Sequence, residues 1–354
     1  MLTACETPSP PPAAGPTLRV VERIDGFDRP WELRFAPDGT PLLTEKGGRV
    51  VTMDDGVRRV VGTVPGVVSI GEGGLMGLAV DPGYATNRRI YVCHTAASDV
   101  RVVRFTVGAG TSGLSGATPI VTGIPAGPGN RHQGCRLAFG SMGDLWITTG
   151  DATIAAAPAD RANLAGKILR VTAAGAPWHS NPGVTTPGAG WNPLVFSRGH
   201  RNPQGLAFRP GGGVYAVEHG TGCDDEINRL VSGADYGWNP VGPTGGYDES
   251  LPMTRAGATR AVWSSGCPTV APSGATFLTG AQWGDREGLL AVGMLKQQRL
   301  TLIDVRGGTA GSGRVVEHHF VGERRIRSVV QGPDGSLWIV GDGASAPLLK
   351  VVVK

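Results

Sequence analysis

Apolar positions along this chain fall in short runs bounded by glycine, proline and aspartate, and long 3.6-residue periodicity is nearly absent. The clearest unit covers residues 197–220. Its polar and cationic lead-in, Ser197-Arg198-Gly199-His200-Arg201-Asn202, stops at Pro203. An apolar run to Phe208 follows, then the turn Arg209-Pro210-Gly211-Gly212-Gly213. A second run, Val214-Tyr215-Ala216-Val217, leads back into Glu218-His219-Gly220. This pattern predicts a loop, a buried strand, a tight turn and a returning strand. The polar ends of both strands then lie on one side of the hairpin.

Six segments share this pattern, at residues 30–45, 71–92, 132–151, 197–220, 272–293 and 325–340. Further short strands are expected between them, for example at 101–105 and 299–303. Four strands per repeat and six repeats describe an all-β fold, a six-bladed β-propeller of four-stranded antiparallel blades. An open sandwich is the other all-β architecture, but sandwiches do not repeat one hairpin six times. The C-terminal run at 348–353 is expected to pair with the N-terminal region and close the ring. In a propeller the innermost strand of each blade starts on the face where the second strand ends. One mouth of the central channel should therefore collect Glu72, His132, Asp151, His200, Arg201, Asn202, Glu218, His219, Lys296, Arg325 and Arg327. The opposite mouth should receive the Gly-rich and Pro-Asp-Gly turns.

Composition narrows the class. Glycine (57) and proline (27) are abundant, yet 40% of residues are hydrophobic and the two types are interleaved, which is turn punctuation rather than disorder. A net charge of +4 without a Lys/Arg block argues against a nucleic-acid partner. No apolar run is long enough to span a membrane. Leu2-Thr3-Ala4-Cys5 looks like a bacterial lipobox, and residues 6–17 are Pro/Ala/Ser-rich without core-forming side chains. The expected organisation is a lipobox remnant and tether over 1–17 and a propeller domain over 18–354. The protein would be exported, periplasmic or on the cell surface, touching the membrane only through a lipid on Cys5. Of the remaining cysteines, Cys93, Cys135, Cys223 and Cys267, none form a CxxC pair, which argues against zinc. Neighbouring-repeat geometry suggests the disulfides Cys93–Cys135 and Cys223–Cys267; four buried free thiols are the alternative.

Three features of the mouth carry chemistry. Arg201, Lys296, Arg325 and Arg327 come from three repeats in one phase, and a converging set of cations calls for an anion among them. Surface arginines paired with nearby acids are the plainer alternative. His132 and Asp151 are separated by one hairpin up and back, so a carboxylate can fix the imidazole tautomer of a general base. The stretch Glu218-His219-Gly220-Thr221-Gly222-Cys223-Asp224-Asp225-Glu226 can present carbonyls to a hard cation such as Ca²⁺, or can simply be an acidic turn that balances neighbouring arginines.

Together these residues resemble the soluble glucose/sorbosone dehydrogenase family, including the aldose sugar dehydrogenases. The resemblance runs from about Pro30 to the C-terminus. It is carried by the run from Gly199 to Phe208, by Asp224-Asp225-Glu226-Ile227-Asn228 with Tyr236-Gly237-Trp238, and by Gly71-Glu72-Gly73-Gly74-Leu75. It implies a six-bladed propeller that uses pyrroloquinoline quinone (PQQ) with calcium. His132 matches the family's general base and Asp151 the acid that orients it. Arg201 and Asn202 match PQQ contacts, with Arg201 near the reacting quinone oxygen. Lys296, Arg325 and Arg327 match residues that hold the cofactor's carboxylates, and Gly220 and Thr221 match carbonyls that bind calcium. Glu72 and His219, both expected beside the cofactor, stand where glucose-oxidising members carry Gln, and Thr221 replaces a Pro. No long insertion is visible around the mouth, which predicts an open, permissive substrate pocket. The expected activity is oxidation of an aldose to a lactone, with electrons passed to an external acceptor. A calcium-dependent propeller lactonase and a cofactor-less binding propeller are the rival readings.

Overall fold

The computed structural model describes residues 17–354. The lipobox and nearly all of the tether lie outside the described residues. Six four-stranded antiparallel sheets are arranged as blades, each built from consecutive strands except the last. The inner hairpins are Pro30–Phe35 with Pro41–Glu45, Leu75–Val80 with Arg89–Thr95, and Leu137–Phe139 with Asp144–Thr149. The other three are Pro203–Phe208 with Val214–Glu218, Pro272–Phe277 with Leu290–Met294, and Ile326–Gln331 with Leu337–Gly341. All six predicted hairpins are present, and the strands expected at 101–105 and 299–303 are the third strands of blades 2 and 5.

The ring closes as expected. The C-terminal strand Ala344–Val353 is the third strand of blade 6, and the N-terminal strand Leu18–Asp28 is the fourth, paired antiparallel from Leu18 opposite Val353 to Asp28 opposite Ala344. Of the N-terminal strand only Ile24 and Phe27 are buried. Two such side chains contribute about 1.5–3 kcal/mol each, so the closure rests largely on its hydrogen-bond ladder. The core lies between blade faces. One cluster joins Tyr91, Cys93 and Val102 of blade 2 to Leu137, Ile147 and Leu169 of blade 3.

Two features of the inner strands shape the mouth. Neighbouring inner strands approach so closely that a Cβ on Gly205 would lie 2.3 Å from the Ser273 carbonyl, and one on Gly274 2.6 Å from Ser328 Cα. Glycine at these positions lets the strands crowd around the axis. In five of the six inner hairpins, all but that of blade 3, the register also shifts near the mouth end of the first strand. Trp31, Gln204 and Arg327 are left unpaired by these bulges. A bulge re-aims the side chain it carries, and all three line the cavity at the mouth.

One expectation fails. A long loop separates the third and fourth strands of blade 4, Glu226–Arg229 and Trp263–Ser264. It folds over the mouth and contributes Trp238, Tyr247 and Glu249 to it. The reading of a mouth without insertions missed it because the segment is polar, Gly/Pro-rich and aperiodic, and resembles an ordinary surface connection. Both expected disulfides form, with Cα separations of 6.3 Å for Cys93–Cys135 and 4.4 Å for Cys223–Cys267. The Cys223–Cys267 bridge spans the base of this loop. Cys135 thus ties the segment next to His132 to blade 2.

Candidate active site

His132 leaves the loop before the inner strand of blade 3 with a left-handed backbone (φ 51°), and Asp151 follows the second strand. Both side chains are buried. His132 Nδ1 is 2.9 Å from Asp151 Oδ1, which also accepts the Thr153 N–H at 2.8 Å. Asp151 Oδ2 accepts the Trp238 indole N–H at 2.6 Å and the Tyr247 hydroxyl at 2.7 Å. Burial and the Asp151 carboxylate push the Tyr247 phenol up, so it stays protonated and acts as a donor. A carboxylate so held accepts Nδ1–H and leaves the lone pair on Nε2. Nε2 makes no hydrogen bond among the described residues, and its nearest carboxylate oxygen is Glu249 Oε1 at 3.7 Å.

Arg201 and Asn202 precede the inner strand of blade 4. Arg201 is buried; its guanidinium donates to Glu249 Oε1 at 2.7 Å and to the His219 carbonyl at 3.2 Å, and lies 5.8 Å from the Trp238 ring centroid. Its Nε is buried without a partner. Burial opposes ionisation of Glu249, but the Arg201 guanidinium outweighs it and holds the carboxyl below its ordinary value. Asn202 accepts the Gly134 N–H at 3.2 Å and donates to Glu72 at 3.3 Å. Glu72 also accepts the His132 backbone N–H at 2.9 Å. It is therefore held by donors on blades 3 and 4.

A cavity of about 340 Å³ lies on the propeller axis beside this group. Four cations, Arg29, Lys46, Arg325 and Arg327, and two carboxylates, Glu72 and Asp342, line it together with Trp31, Gln204 and His219. Arg327 donates to Asp342 at 2.8 and 3.0 Å and to Gln204 Oε1 at 3.1 Å, and Arg325 donates to Asp342 at 2.7 Å. The plainer reading of paired arginines thus holds for part of this pair's charge, and positive charge remains in excess. Burial and the guanidiniums of Arg327 and Arg201 push the His219 imidazole down to about 3. It is neutral at pH 7, and its Nε2 has no hydrogen-bond partner. Beneath the cavity Arg136 crosses the channel axis. It pairs with Glu32 of blade 1, donates to the Gln204 carbonyl at 2.9 Å, and stacks 4.1 Å from the Trp31 ring centroid.

Other expected site residues are placed differently. Lys296 reaches the same face, but its exposed ammonium donates to Thr269 Oγ1 at 3.1 Å and does not line the cavity. His200 and Glu218 are fully buried and bonded to each other at 2.9 Å, with Ser197 on the far ring nitrogen. They brace the lead-in loop and do not reach the mouth cavity. Gly220 is anchored by its N–H to Asp225 Oδ1 at 2.8 Å, and the Gly220 and Thr221 carbonyls accept no hydrogen bond among the described residues. Free carbonyls on an anchored loop suit a hard cation. Among the described residues no cluster of three or more His, Cys, Asp or Glu side chains is placed to hold a metal, so a cation here would rely on main-chain oxygens.

Sequence reasoning missed Lys46, Asp342, Trp31, Tyr247 and Glu249. Lys46 and Asp342 directly follow second strands, in the phase of Asp151 and His219, and that phase could have found them. Trp31 required knowledge of a bulge. Tyr247 and Glu249 carry no repeat signal.

Comparison with known proteins agrees with this architecture. The family model described as Glucose / Sorbosone dehydrogenase matches residues 27–350. The aldose sugar dehydrogenase of Escherichia coli is 32% identical over 358 residues, covering 96% of this chain and 94% of that protein. The PQQ-bound aldose sugar dehydrogenase of Streptomyces coelicolor superposes with a TM-score of 0.79 at 30% identity, covering 98% of this chain and all of that one. The apo form of the soluble E. coli enzyme superposes with a TM-score of 0.85 at 27% identity over 96% of this chain and 99% of that one. With its fold, the ring of charge at one mouth and a family match over nearly the whole propeller, the chain belongs to the glucose/sorbosone dehydrogenase family.

Proposed function

We propose that this protein oxidises aldoses at the anomeric carbon to lactones, using PQQ and Ca²⁺ and passing electrons to an external acceptor. The observation that carries this reading is the buried His132–Asp151 pair, whose Nε2 makes no hydrogen bond among the described residues and whose backbone N–H donates to Glu72, a wall residue of the cationic cavity. When bound, PQQ supplies the two-electron acceptor and Ca²⁺ the polarising charge. The residues present suit a flat polycarboxylate: cations from separate blades, the Trp31 ring, and unpartnered polar atoms on His219 and Arg201.

In this reading His132 Nε2 takes the proton of the anomeric hydroxyl, while Asp151 holds Nδ1–H and stabilises the imidazolium. Arg201 and Asn202 face the reacting end. Arg325 and Arg327 hold carboxylates, joined by Lys46 and Arg29, with Lys296 closing the rim. Glu72 and His219 complete the cofactor wall, and the Gly220 and Thr221 carbonyls take the calcium. We further propose export and lipid anchoring through Cys5.

The test is titration of the calcium-loaded protein with PQQ, followed by visible absorbance and then by dye reduction on adding aldoses. Uptake of PQQ and sugar-dependent dye reduction are expected. Lactone hydrolysis without PQQ would replace this reading with a lactonase, and failure to take up PQQ with an intact fold would replace it with a binding propeller. Fatty-acid labelling that is lost in Cys5→Ser tests the anchor.

A further inference from the structure

Glu249 has no counterpart in the repeat and no part in the reading above, yet its carboxylate lies 3.7 Å from the unbonded nitrogen of His132. The tight hairpin that precedes it fixes its position. Asp248 N–H donates to the Pro240 carbonyl at 2.9 Å, Gly242 N–H to the Gly246 carbonyl at 2.9 Å, and the Tyr247 hydroxyl is locked onto Asp151. Its side chain is about a third exposed (37%). Oε1 accepts Arg201 at 2.7 Å and Arg131 at 3.3 Å, and lies 3.7 Å from His132 Nε2. Oε2 accepts no hydrogen bond among the described residues. Glu249 also borders a second hollow, lined by Thr221, Gly222, Asp224 and Ser250. Anchoring Arg201 would need only a neutral acceptor. A carboxylate with one oxygen free, beside the nitrogen that receives the substrate proton, offers a second acceptor to the same molecule. Adjacent hydroxyls on one sugar ring can donate to two acceptors at this spacing.

We propose that Glu249 is a specificity-determining residue that accepts a hydrogen bond from the substituent on the carbon next to the one oxidised. It favours a hydroxyl there over hydrogen, and a cationic ammonium over either. The inference rests on the aldose reading, since His132 must hold the anomeric hydroxyl for Glu249 to face its neighbour.

The test compares glucose, 2-deoxyglucose and glucosamine on the PQQ- and calcium-loaded protein, below the amine's pKa, in the wild type and in Glu249→Gln. Gln keeps an acceptor for Arg201 and removes the charge. The ratio of kcat/KM for glucosamine to that for glucose should fall about tenfold in Glu249→Gln, because the charge-assisted bond is lost. Glu249→Ala, which removes the acceptor, should also erase the preference for glucose over 2-deoxyglucose and serves if the Gln variant is unstable. A merely structural role would lower all three sugars together, and unchanged ratios in both variants would overturn the proposal. If no sugar is oxidised, the aldose reading has failed. Saturation-transfer NMR of the three sugars then reads the same ratios as binding, and unchanged ratios there would also overturn the proposal.

Discussion

Asp151 receives four donors, so its orientation is over-determined, and through it so is that of His132. Replacing His132 with Ala should lower kcat on the order of 10²- to 10⁴-fold, the range for loss of a general base. Asp151→Asn should lower kcat on the order of 10⁴-fold with KM little changed, because the wrong tautomer would be presented at Nε2. Both are read by steady-state dye reduction. His219 makes a separate prediction. Its folded-state value, about 3, lies below the ordinary histidine value of 6.5, so the unfolded chain binds the extra proton between these limits. Stability from this residue is fully present above about pH 6.5 and is lost as pH falls towards 3. In His219→Gln the acid-side slope of urea midpoint against pH should become shallower, and an unchanged slope would show that His219 is already protonated in the fold. The phase that singled out His132, Asp151 and His219 was legible from sequence because each lies in the polar stretch that leads into or out of an inner hairpin, within five residues of its strand. Glu249 and Tyr247 were not, because a loop residue reaches the site through tertiary packing that no periodicity records.

The hairpins could be read from the sequence because glycine and proline mark each turn and the strands between are continuously apolar. The bulges could not, since a shift of one residue leaves the apolar pattern almost unchanged while turning Trp31, Gln204 and Arg327 into the cavity. The inner-strand glycines are equally silent until neighbouring strands are seen together. Gly205→Ala and Gly274→Ala each place a Cβ against the backbone of the next blade. Each should cost about 1–3 kcal/mol, the range for overpacking, measured by chemical denaturation. The Cys223–Cys267 bridge closes a segment of 44 residues that includes the Glu249 loop. Removing it as the double Ser variant should cost about 4 kcal/mol on the chain-entropy model. It should also loosen the loop, so PQQ titration of the variant should show weaker uptake together with the lower Tm.

At the scale of the molecule the site belongs to no single blade. Blade 3 supplies His132 and Asp151, blade 4 Arg201, Asn202 and Glu249, and blade 6 Arg325, Arg327 and Asp342. The two ends of the described chain meet, with the Lys354 N–H donating to the Thr17 carbonyl at 2.9 Å. A circular permutant that joins these ends and opens the turn at 211–213 should fold with a similar Tm. Deleting 344–354 should instead give insoluble protein, because both Leu337–Gly341 and Leu18–Asp28 lose their partner strand. The closing strand also couples the mouth to the integrity of the ring. Blade 6 has no complete sheet until Ala344–Val353 lies between Leu337–Gly341 and Leu18–Asp28. Arg325 and Arg327 stand at the inner edge of that same blade, so an anion that needs both, as proposed, would bind only where this sheet is assembled.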